Sequence, residues 1–276
     1  MLRLLVALYA GLSFAVAAQA QGGEYEPREG QEGKDVIWVG TPDALIERML
    51  DMAEVKPGDY VMDLGSGDGR IPIAAAKRGA RAIGIEYNPD LVELSKRKAE
   101  AAGVADRTEF LKADLFETDL SKADVITMYL LPELNMKLRP KLLELKPGTR
   151  IVSHFFDMED WKSDNDTVVD GRPAYLWIVP AKVGGKWKLS YPDGKETAEL
   201  TLTQNFQLIW GDLRQGGETL ELGAPWLAGD RIRFTVRDAQ DRPHQYTGKV
   251  FDGRRMEGTV SVDGKQTRKW VATRVQ

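Results

Sequence analysis

The chain of 276 residues contains no cysteine and only two histidines. Without thiols it can form no disulfide, no thiolate metal site and no cysteine nucleophile. His154 and His244 lie far apart in sequence, and neither belongs to a cluster with the spacing of metal ligands. The sequence therefore predicts no structural zinc or haem site. The lack of cysteine fits an exported protein and a cytoplasmic one equally.

The chain also lacks an excess of positive charge. Its formal net charge is −4 and its pI is about 5.5. No basic stripe is visible, which argues against a nucleic-acid partner. Charges of both signs are well mixed, as on ordinary solvated surfaces, and nothing in the sequence indicates an oligomeric state.

Only one long apolar run is present, over residues 4–18. It is shorter than the roughly 20 residues that a membrane-spanning helix needs. Arg3 precedes it and Ala18-Gln19-Ala20 follows, so residues 1–20 are predicted to be a secretory signal peptide. The mature protein would then be exported, periplasmic or secreted, and would keep no stable membrane span; an uncleaved anchor is the alternative. Residues 21–35, rich in Gly, Glu and Gln, predict a disordered linker.

A glycine-rich turn follows the first predicted strand, Tyr60–Leu64. Its residues are Gly65-Ser66-Gly67-Asp68-Gly69, and such a turn between strand and helix lets the backbone approach a ligand closely. A dinucleotide site would require glycine at the position of Arg70. The early third glycine and the leading Asp63 favour a ligand without phosphates, such as S-adenosylmethionine (SAM). A purely structural turn is the alternative.

Two acids follow later strands in the pattern of a nucleoside site. Glu86 ends the second apolar run and lies 23 positions after Asp63 (86 − 63). In nucleotide-binding folds, the acid that binds the ribose hydroxyls follows the first motif by roughly 20 residues. Two carboxylate oxygens can accept from both vicinal hydroxyls. Asp114 follows the third strand and can accept from an adenine amino group.

The order of elements predicts an open α/β sheet. The strands are predicted at 60–64, 81–86, 108–111, 124–129 and 149–156. Ligands of such sheets bind beyond the carboxyl ends of the strands, where these candidate residues fall. We therefore predict a Rossmann-like domain over residues 36–180.

These motifs resemble those of class I SAM-dependent methyltransferases. The resemblance rests on residues 63–70, Glu86, Asp114-Leu115 and the turn Lys146-Pro147-Gly148. Residues 128–135, read together with Val152-Ser153-His154, resemble the small protein-lysine methyltransferases, of the archaeal broad-specificity type and the mitochondrial type that modifies the ATP synthase c-subunit. The resemblance implies SAM as methyl donor, a protein lysine as acceptor, and Tyr87 and Leu115 as further cofactor contacts.

The segment Trp38–Pro42 partly matches a Tyr-Val-Pro-Thr-Pro pattern of bacterial relatives. From the residues alone, Thr41 and Pro42 predict the N-cap and first position of a helix that runs through Met49 and Met52. The resemblance adds a second role for Thr41, flanking the cofactor.

Four residues are candidates for catalysis. Methyl transfer from a sulfonium needs an in-line approach by a neutral nucleophile, so positioning matters most. The candidates lie after the fourth and fifth strands: Tyr129, Glu133, Asn135 and His154. Three of these residues also have a structural interpretation. Tyr129 can be a packed aromatic residue of the strand, Glu133 can be an acid that suits the first turn of the following helix, and His154 can be a core histidine.

Residues 185–276 change to alternating apolar and polar positions, which predicts half-buried strands. Hairpin turn signals occur at Asp193-Gly194, Asp252-Gly253 and Asp263-Gly264. We predict an all-β domain of about seven or eight strands, a meander that forms a barrel or sandwich. Three of its tryptophans can line an apolar cavity or pack in the core: Trp210, Trp226 and Trp270.

Three functions remain open at this point. The first is a SAM-dependent methyltransferase for protein lysine, and the second is a methyltransferase for a small molecule. The third is a non-catalytic periplasmic binding or scaffold protein that keeps the fold. It draws support from the difficulty of supplying SAM, a charged cytoplasmic metabolite, outside the cytoplasm.

Overall fold

The computed structural model describes residues 25–34, 37–192, 194 and 196–275. The predicted signal peptide and the first residues of the predicted linker lie outside this range. The strands of the described residues form two sheets, one of seven strands and one of nine. Within the described residues, no helix combines the length and apolar character required to cross a membrane.

The first sheet has the order β3-β2-β1-β4-β5-β7-β6. Its strands are β1 (Tyr60–Leu64), β2 (Arg81–Glu86), β3 (Thr108–Lys112), β4 (Val125–Met128), β5 (Arg150–His154), β6 (Asn165–Val169) and β7 (Arg172–Ile178). The helices are α1 (Asp43–Met52), α2 (Arg70–Lys77), α3 (Pro89–Ala101), a 3-10 turn (Ala105–Arg107) and α4 (Pro132–Leu142).

Strands β1 to β5 run parallel, whereas β7 and β6 form an antiparallel hairpin at one edge. The chain passes from β1 to β2 and β3 on one side and returns to β4 and β5 on the other. Such a reversal leaves a crevice beyond the carboxyl ends of the strands.

The two faces of this sheet bury alternate residues of each strand. Val61 packs with the cluster formed by α1, α2 and α3, and its neighbour Met62 packs with the cluster around α4. Both faces are therefore covered, as a parallel sheet requires. This confirms the predicted α/β Rossmann-like fold.

The second sheet is an antiparallel, nearly closed barrel. Its strands are β8 (Gly185–Ser190), β9 (Thr197–Asn205), β10 (Leu208–Gln215), β11 (Glu218–Glu221), β12 (Gly223–Ala228), β13 (Arg231–Arg237), β14 (Pro243–Phe251), β15 (Arg255–Val262) and β16 (Lys265–Arg274). Neighbours in sequence pair with one another, except β11 and β12, and the last strand pairs with the first. The predicted all-β meander is confirmed, with nine strands rather than seven or eight.

The barrel interior is filled by aromatic side chains. Trp187, Phe234 and Trp270 are fully buried, and the hydroxyls of Tyr191 and Tyr246 lie 2.7 Å apart. Trp270 thus packs in the core, whereas Trp210 and Trp226 are 50% and 43% exposed. The three predicted tryptophans do not line a common cavity.

The two sheets meet through the hairpin between β9 and β10. Phe206 stacks on Trp161 with ring centroids 5.7 Å apart, and the Trp161 indole donates to Gln207 Oε1 over 3.0 Å. Trp161 follows β5, so the barrel is packed against the loop beside the end of that strand.

One local prediction needs correction. Helix α1 begins at Asp43, and its N-cap residue is Pro42 rather than Thr41; no side chain caps the helix. Residues 25–34, which belong to the predicted linker, make backbone contacts, including Trp38 N to Gln31 O at 2.9 Å. The hairpin signals at Asp252-Gly253 and Asp263-Gly264 do mark turns, with positive φ at all four residues.

Candidate active site

A cleft of about 990 Å³, its open mouth included, lies beyond the carboxyl ends of β1, β2 and β4. Nine of the ten residues predicted to bind the cofactor line it: Thr41, Asp63, Gly65, Ser66, Gly67, Glu86, Tyr87, Asp114 and Leu115. The tenth, Gly69, sits just behind at the start of α2 and packs against Ser95 and Phe110. Of the four residues predicted to be catalytic, Tyr129 lines the cleft.

The glycine-rich turn uses its own amides to hold its shape. Gly65 N and Ser66 N both donate to Ile85 O, at 2.9 and 3.0 Å, and Gly67 N donates to Glu86 Oε2 at 2.9 Å. These amides are therefore not a row of free donors of the kind that cradles a phosphate. Gly67 has φ of 54°, and a Cβ there would lie 2.7 Å from Trp38 Nε1.

Glu86 retains capacity to bind two hydroxyls. Its carboxylate accepts from Gly67 N at 2.9 Å and from Asn88 N at 2.8 Å, one bond to each oxygen. An ionised carboxylate offers about four acceptor sites, so each oxygen keeps one for a ligand. This donor set fits the vicinal hydroxyls of a ribose.

Asp63 is a buried acid at the floor of the cleft. It is buried and accepts a hydrogen bond of 2.6 Å from Thr127 Oγ1. Burial, together with the nearby Glu86 and Asp68, raises the pKa of Asp63 to about 7. A cation that enters the cleft will favour ionised Asp63, because it offsets both burial and like charge.

Asp114 lies at the far end of the cleft, beside Tyr87. Its Oδ2 accepts from Lys34 Nζ at 2.5 Å, and Lys34 also lies 4.7 Å above the Tyr87 ring. The Lys34 ammonium and the Phe116 amide hold the pKa of Asp114 below its usual value. The segment before α1 thus reaches across the predicted adenine end of the site.

A second contact joins this segment to the glycine-rich turn. Arg70 donates to the Thr41 carbonyl at 3.1 Å and to both oxygens of Asp68 at 2.9 Å. Its guanidinium also lies 5.7 Å from the Trp38 ring. We name residues 31–34 and 37–41 the strap, because they line one wall of the cleft.

Tyr129 borders the cleft at the end of β4. Among the described residues, its hydroxyl makes no hydrogen bond, and burial raises the pKa of the phenol. The hydroxyl is therefore neutral and available to a ligand. Its ring is held from behind by His154, with ring centroids 3.8 Å apart.

His154 does not line the cleft. It is 1% exposed, and its Nδ1 lies 3.0 Å from Thr41 Oγ1. Burial, with Arg172 nearby, lowers the pKa of His154 to about 4, so the ring is neutral near pH 7. Its Nε2 has no hydrogen-bond partner among the described residues. The core position weighed as an alternative is the one that the structure shows.

Asn135 and Glu133 also lie away from the cleft lining. Asn135 is fully buried, and its amide donates to Phe156 O at 3.3 Å and Asp157 O at 3.2 Å. Glu133 is exposed in the first turn of α4, where the helix has no side-chain cap. Asn135 thus supports the backbone turn after β5.

The residues of the cleft fit SAM better than a dinucleotide. Its two cations, Lys34 and Arg70, are already paired with Asp114 and Asp68. Asp63, Glu86 and Glu32 remain as acids of the cleft without a cation partner in the described chain. An acidic cleft with ribose acceptors suits a ligand that carries an adenosine and a sulfonium. Within the described residues, no cluster of acids and histidines is suited to a metal ion.

The sequence reasoning missed Lys34, which lines the cleft. Lys34 lies in a stretch whose composition is that of a linker, so no local signal was present. Only the fold brings this residue to the cleft.

The fold and cleft define a SAM-dependent methyltransferase, and comparison with known proteins agrees. Residues 63–165 match the ANTKMT methyltransferase domain family. A protein-lysine N-methyltransferase of Saccharolobus islandicus is 42% identical over 151 residues, which cover 52% of this chain and 94% of the archaeal protein. A mouse lysine N-methyltransferase, named for the c-subunit of ATP synthase, is 37% identical over 44% of this chain and 49% of its own length.

A solved structure gives the same result for the fold and the cofactor. It is the structure of an RNA methyltransferase from Salinibacter ruber in complex with S-adenosyl-L-homocysteine, which is 51% identical in sequence. The match has a TM-score of 0.50 and covers 51% of this chain and 94% of the Salinibacter chain. The chain belongs to the SAM-dependent protein-lysine N-methyltransferase family. It spans about half the length of the mouse relative.

Proposed function

We propose that this protein transfers a methyl group from SAM to the side-chain amine of a protein lysine. The observation that carries the proposal is the acidic cleft between the glycine-rich turn and Glu86, which opens beside Tyr129. The names of the archaeal and mouse relatives support lysine as the acceptor.

Bound SAM supplies an electrophilic methyl group on a sulfonium. Glu86 holds the ribose hydroxyls, and Asp63 balances positive charge at the floor of the cleft. The Tyr129 hydroxyl lies at the mouth, where it can accept a hydrogen bond from the incoming amine and orient its lone pair. Most of the rate enhancement then comes from positioning of the two reactants.

RNA is the alternative acceptor, because the matching Salinibacter structure is described as an RNA methyltransferase. The net charge of −4 argues against it, since RNA binding relies on basic surfaces. A small molecule is the second alternative, because the barrel lies outside the matched methyltransferase region and can supply a separate binding surface.

Methyl labelling distinguishes these acceptors. The protein is incubated with methyl-labelled SAM and an extract of cells that lack its gene, and label is then followed into protein, RNA and small molecules. We expect labelled methyl-lysine in protein, and none with the Glu86→Gln variant as control. Label confined to RNA or to small molecules would refute the proposal.

We also propose that the protein is exported, on the basis of the apolar run and the Ala18-Gln19-Ala20 site. Cell fractionation and N-terminal sequencing of the mature protein test this, with a new N-terminus at Gln21 as the expected result. A cytoplasmic protein that keeps Met1 would contradict it. Export would require a supply of SAM outside the cytoplasm, and a protein that binds no SAM would instead fit the scaffold interpretation.

A further inference from the structure

His154 is a buried titratable side chain that takes no part in the proposed mechanism, yet it contacts two residues that line the cleft. Its Nδ1 lies 3.0 Å from the hydroxyl of Thr41, which belongs to the strap. The centroid of its ring lies 3.8 Å from that of Tyr129, and the two rings are inclined by 36°. Thr41 and Tyr129 both line the cleft, whereas His154 does not. One side chain therefore contacts both the strap and the residue that meets the acceptor.

The backbone of His154 is held in place by the sheet. His154 ends β5 and is paired with Ala174 of β7. The next amide, that of Phe155, donates to Pro173 O at 2.8 Å, so hydrogen bonding to this neighbouring strand continues one residue beyond β5. His154 is thus a fixed point, and its imidazole contacts the strap on one side and Tyr129 on another.

One nitrogen of the His154 ring has no partner. Nε2 is buried and makes no hydrogen bond with the described residues. Because buried N–H groups without an acceptor are rarer than buried acceptors without a donor, we assign the ring proton to Nδ1, which donates to Thr41 Oγ1. An apolar side chain would leave no orphaned nitrogen, and such an exchange can be neutral or stabilising. Stability alone therefore does not explain a histidine at this position.

Proton transfer does not explain the histidine either. Burial, with Arg172 nearby, lowers the pKa of His154 to about 4, which makes the ring a poor base for a lysine ammonium. The ring is 1% exposed and lies outside the cleft lining, so it does not meet the reactants directly. Its contacts with the strap and with Tyr129 are the features that remain to be explained.

We propose that His154 is a positioning residue that joins the strap to Tyr129, and so couples the wall of the cofactor site to the orientation of the acceptor amine. The Nδ1–H group holds Thr41, and the face of the imidazole sets the angle of the Tyr129 ring and hence the direction of its hydroxyl. The part played by Tyr129 rests on the proposed function, whereas the link between His154 and Thr41 does not.

Nitrogen NMR tests the link to the strap without any methyl transfer. The chain has two histidines, so isotope-labelled histidine gives two sets of ring signals, which His244→Gln assigns. We expect His154 to show a protonated Nδ1 and an unprotonated Nε2, and its signals to shift when S-adenosylhomocysteine fills the cleft. Thr41→Val should shift the Nδ1 signal, whereas Thr149→Val, which removes another buried hydroxyl, should not. Signals of His154 that ignore either S-adenosylhomocysteine or Thr41→Val would overturn the inference.

A double-mutant cycle tests the link to Tyr129, with the labelling assay as readout. His154→Leu keeps apolar bulk and removes the orphaned nitrogen, so the unfolding temperature should not fall, whereas kcat should fall about tenfold with the KM for SAM unchanged. In the Tyr129→Phe background there is no hydroxyl to orient, so His154→Leu should lower kcat by less than about twofold. Thr149→Val is the control and should keep the wild-type kcat. If the leucine variant does not fold, His154→Phe takes its place in the cycle.

Three kinetic results would contradict a positioning role for His154. These are an unchanged kcat in His154→Leu, an equal loss of kcat in both backgrounds, and a loss of kcat that Thr149→Val shares. If the wild-type protein transfers no methyl group, the proposed function fails, and the NMR experiment alone then decides whether His154 responds to the strap.

Discussion

At the scale of single residues, the carboxylates of the cleft determine which ligand fits. Glu86 has one acceptor position left on each oxygen after binding two backbone amides. Asp63 is buried without a cation partner among the described residues, and Asp114 is shared with Lys34. The first two acids explain why a cationic nucleoside is favoured over a polyanionic one.

Replacing Glu86 with glutamine should remove most SAM binding while the fold survives. The amide keeps the shape of the side chain but loses the charge and half of its acceptor sites. A ligand that binds only the folded protein raises its unfolding temperature by mass action. In excess SAM, the unfolding temperature of the wild-type protein should therefore rise by several degrees, whereas that of Glu86→Gln should hardly change. Glu109→Gln, at an exposed glutamate of β3, is the control and should shift as wild type does. A full shift in Glu86→Gln would remove Glu86 from the site.

Asp63 should make SAM binding depend on pH. Since its pKa is about 7 in the folded protein, Asp63 is largely protonated below that pH, and bound SAM favours the ionised form. Affinity should therefore rise as the pH increases from 6 to 8, and Asp63→Asn should lose this component. The same group stabilises the ligand-free protein at low pH, and that contribution disappears as the pH rises from 3.8 through about 7. Calorimetric titrations of both proteins across this range provide the measurement, and equal slopes would rule out Asp63 as the cause.

Tyr129 should matter more for transfer than for binding. Tyr129→Phe keeps the ring against His154 and removes the hydroxyl that meets the amine. We expect kcat to fall at least about tenfold, the effect of one lost positioning hydrogen bond, with the Kd for SAM unchanged. Turnover with a labelled donor and extract measures the first quantity. An unchanged kcat would show that the hydroxyl takes no part.

Nine of the ten residues predicted to bind the cofactor line the cleft, whereas Tyr129 is the one member of the predicted catalytic set that does. Asp63 and Glu86 are fixed by local strand-turn-helix patterns, so their positions follow from short segments. His154 and Thr41 meet across 113 residues, and no local pattern reveals that contact. His154 was weighed as a base that acts near neutral pH and, alternatively, as a core histidine, and its contacts with Thr41 and Tyr129 place it in the core.

At the scale of elements, the strap is joined to the rest of the site by three polar contacts. These are Lys34 to Asp114, Arg70 to the Thr41 carbonyl, and the Thr41 hydroxyl to His154 Nδ1. Elements with strong periodicity were predicted well: β1 and β2 begin and end where the sequence indicated. The β6–β7 hairpin was not predicted, because β6 has no buried residue and hence no apolar alternation.

Removing the lysine of the strap should loosen the cofactor moderately. Lys34 and Asp114 are about one-third exposed, and such ion pairs contribute little individually. Lys34→Ala should therefore speed release of S-adenosylhomocysteine by no more than about fivefold. Stopped-flow fluorescence of Trp38, which lines the same cleft, reports the release rate, and Lys96→Ala on the outer face of α3 is the control. Slower release in Lys34→Ala would show that the lysine obstructs the site instead.

At the scale of the whole molecule, a methyltransferase sheet and a barrel share one chain. The matched family covers residues 63–165, and the barrel, which begins at Gly185, lies outside it. It packs through Phe206 and Gln207 against Trp161, in the loop that follows β5.

The most direct test of the central claim is a calorimetric titration of the purified protein with S-adenosylhomocysteine. If the cleft between the glycine-rich turn and Glu86 holds the adenosyl group, binding should be stoichiometric and saturable, and Glu86→Gln should weaken it by at least about tenfold, the equivalent of 1.4 kcal/mol. If the wild-type protein shows no heat of binding at millimolar ligand and no shift in its unfolding temperature, the assignment of this cleft to SAM is wrong.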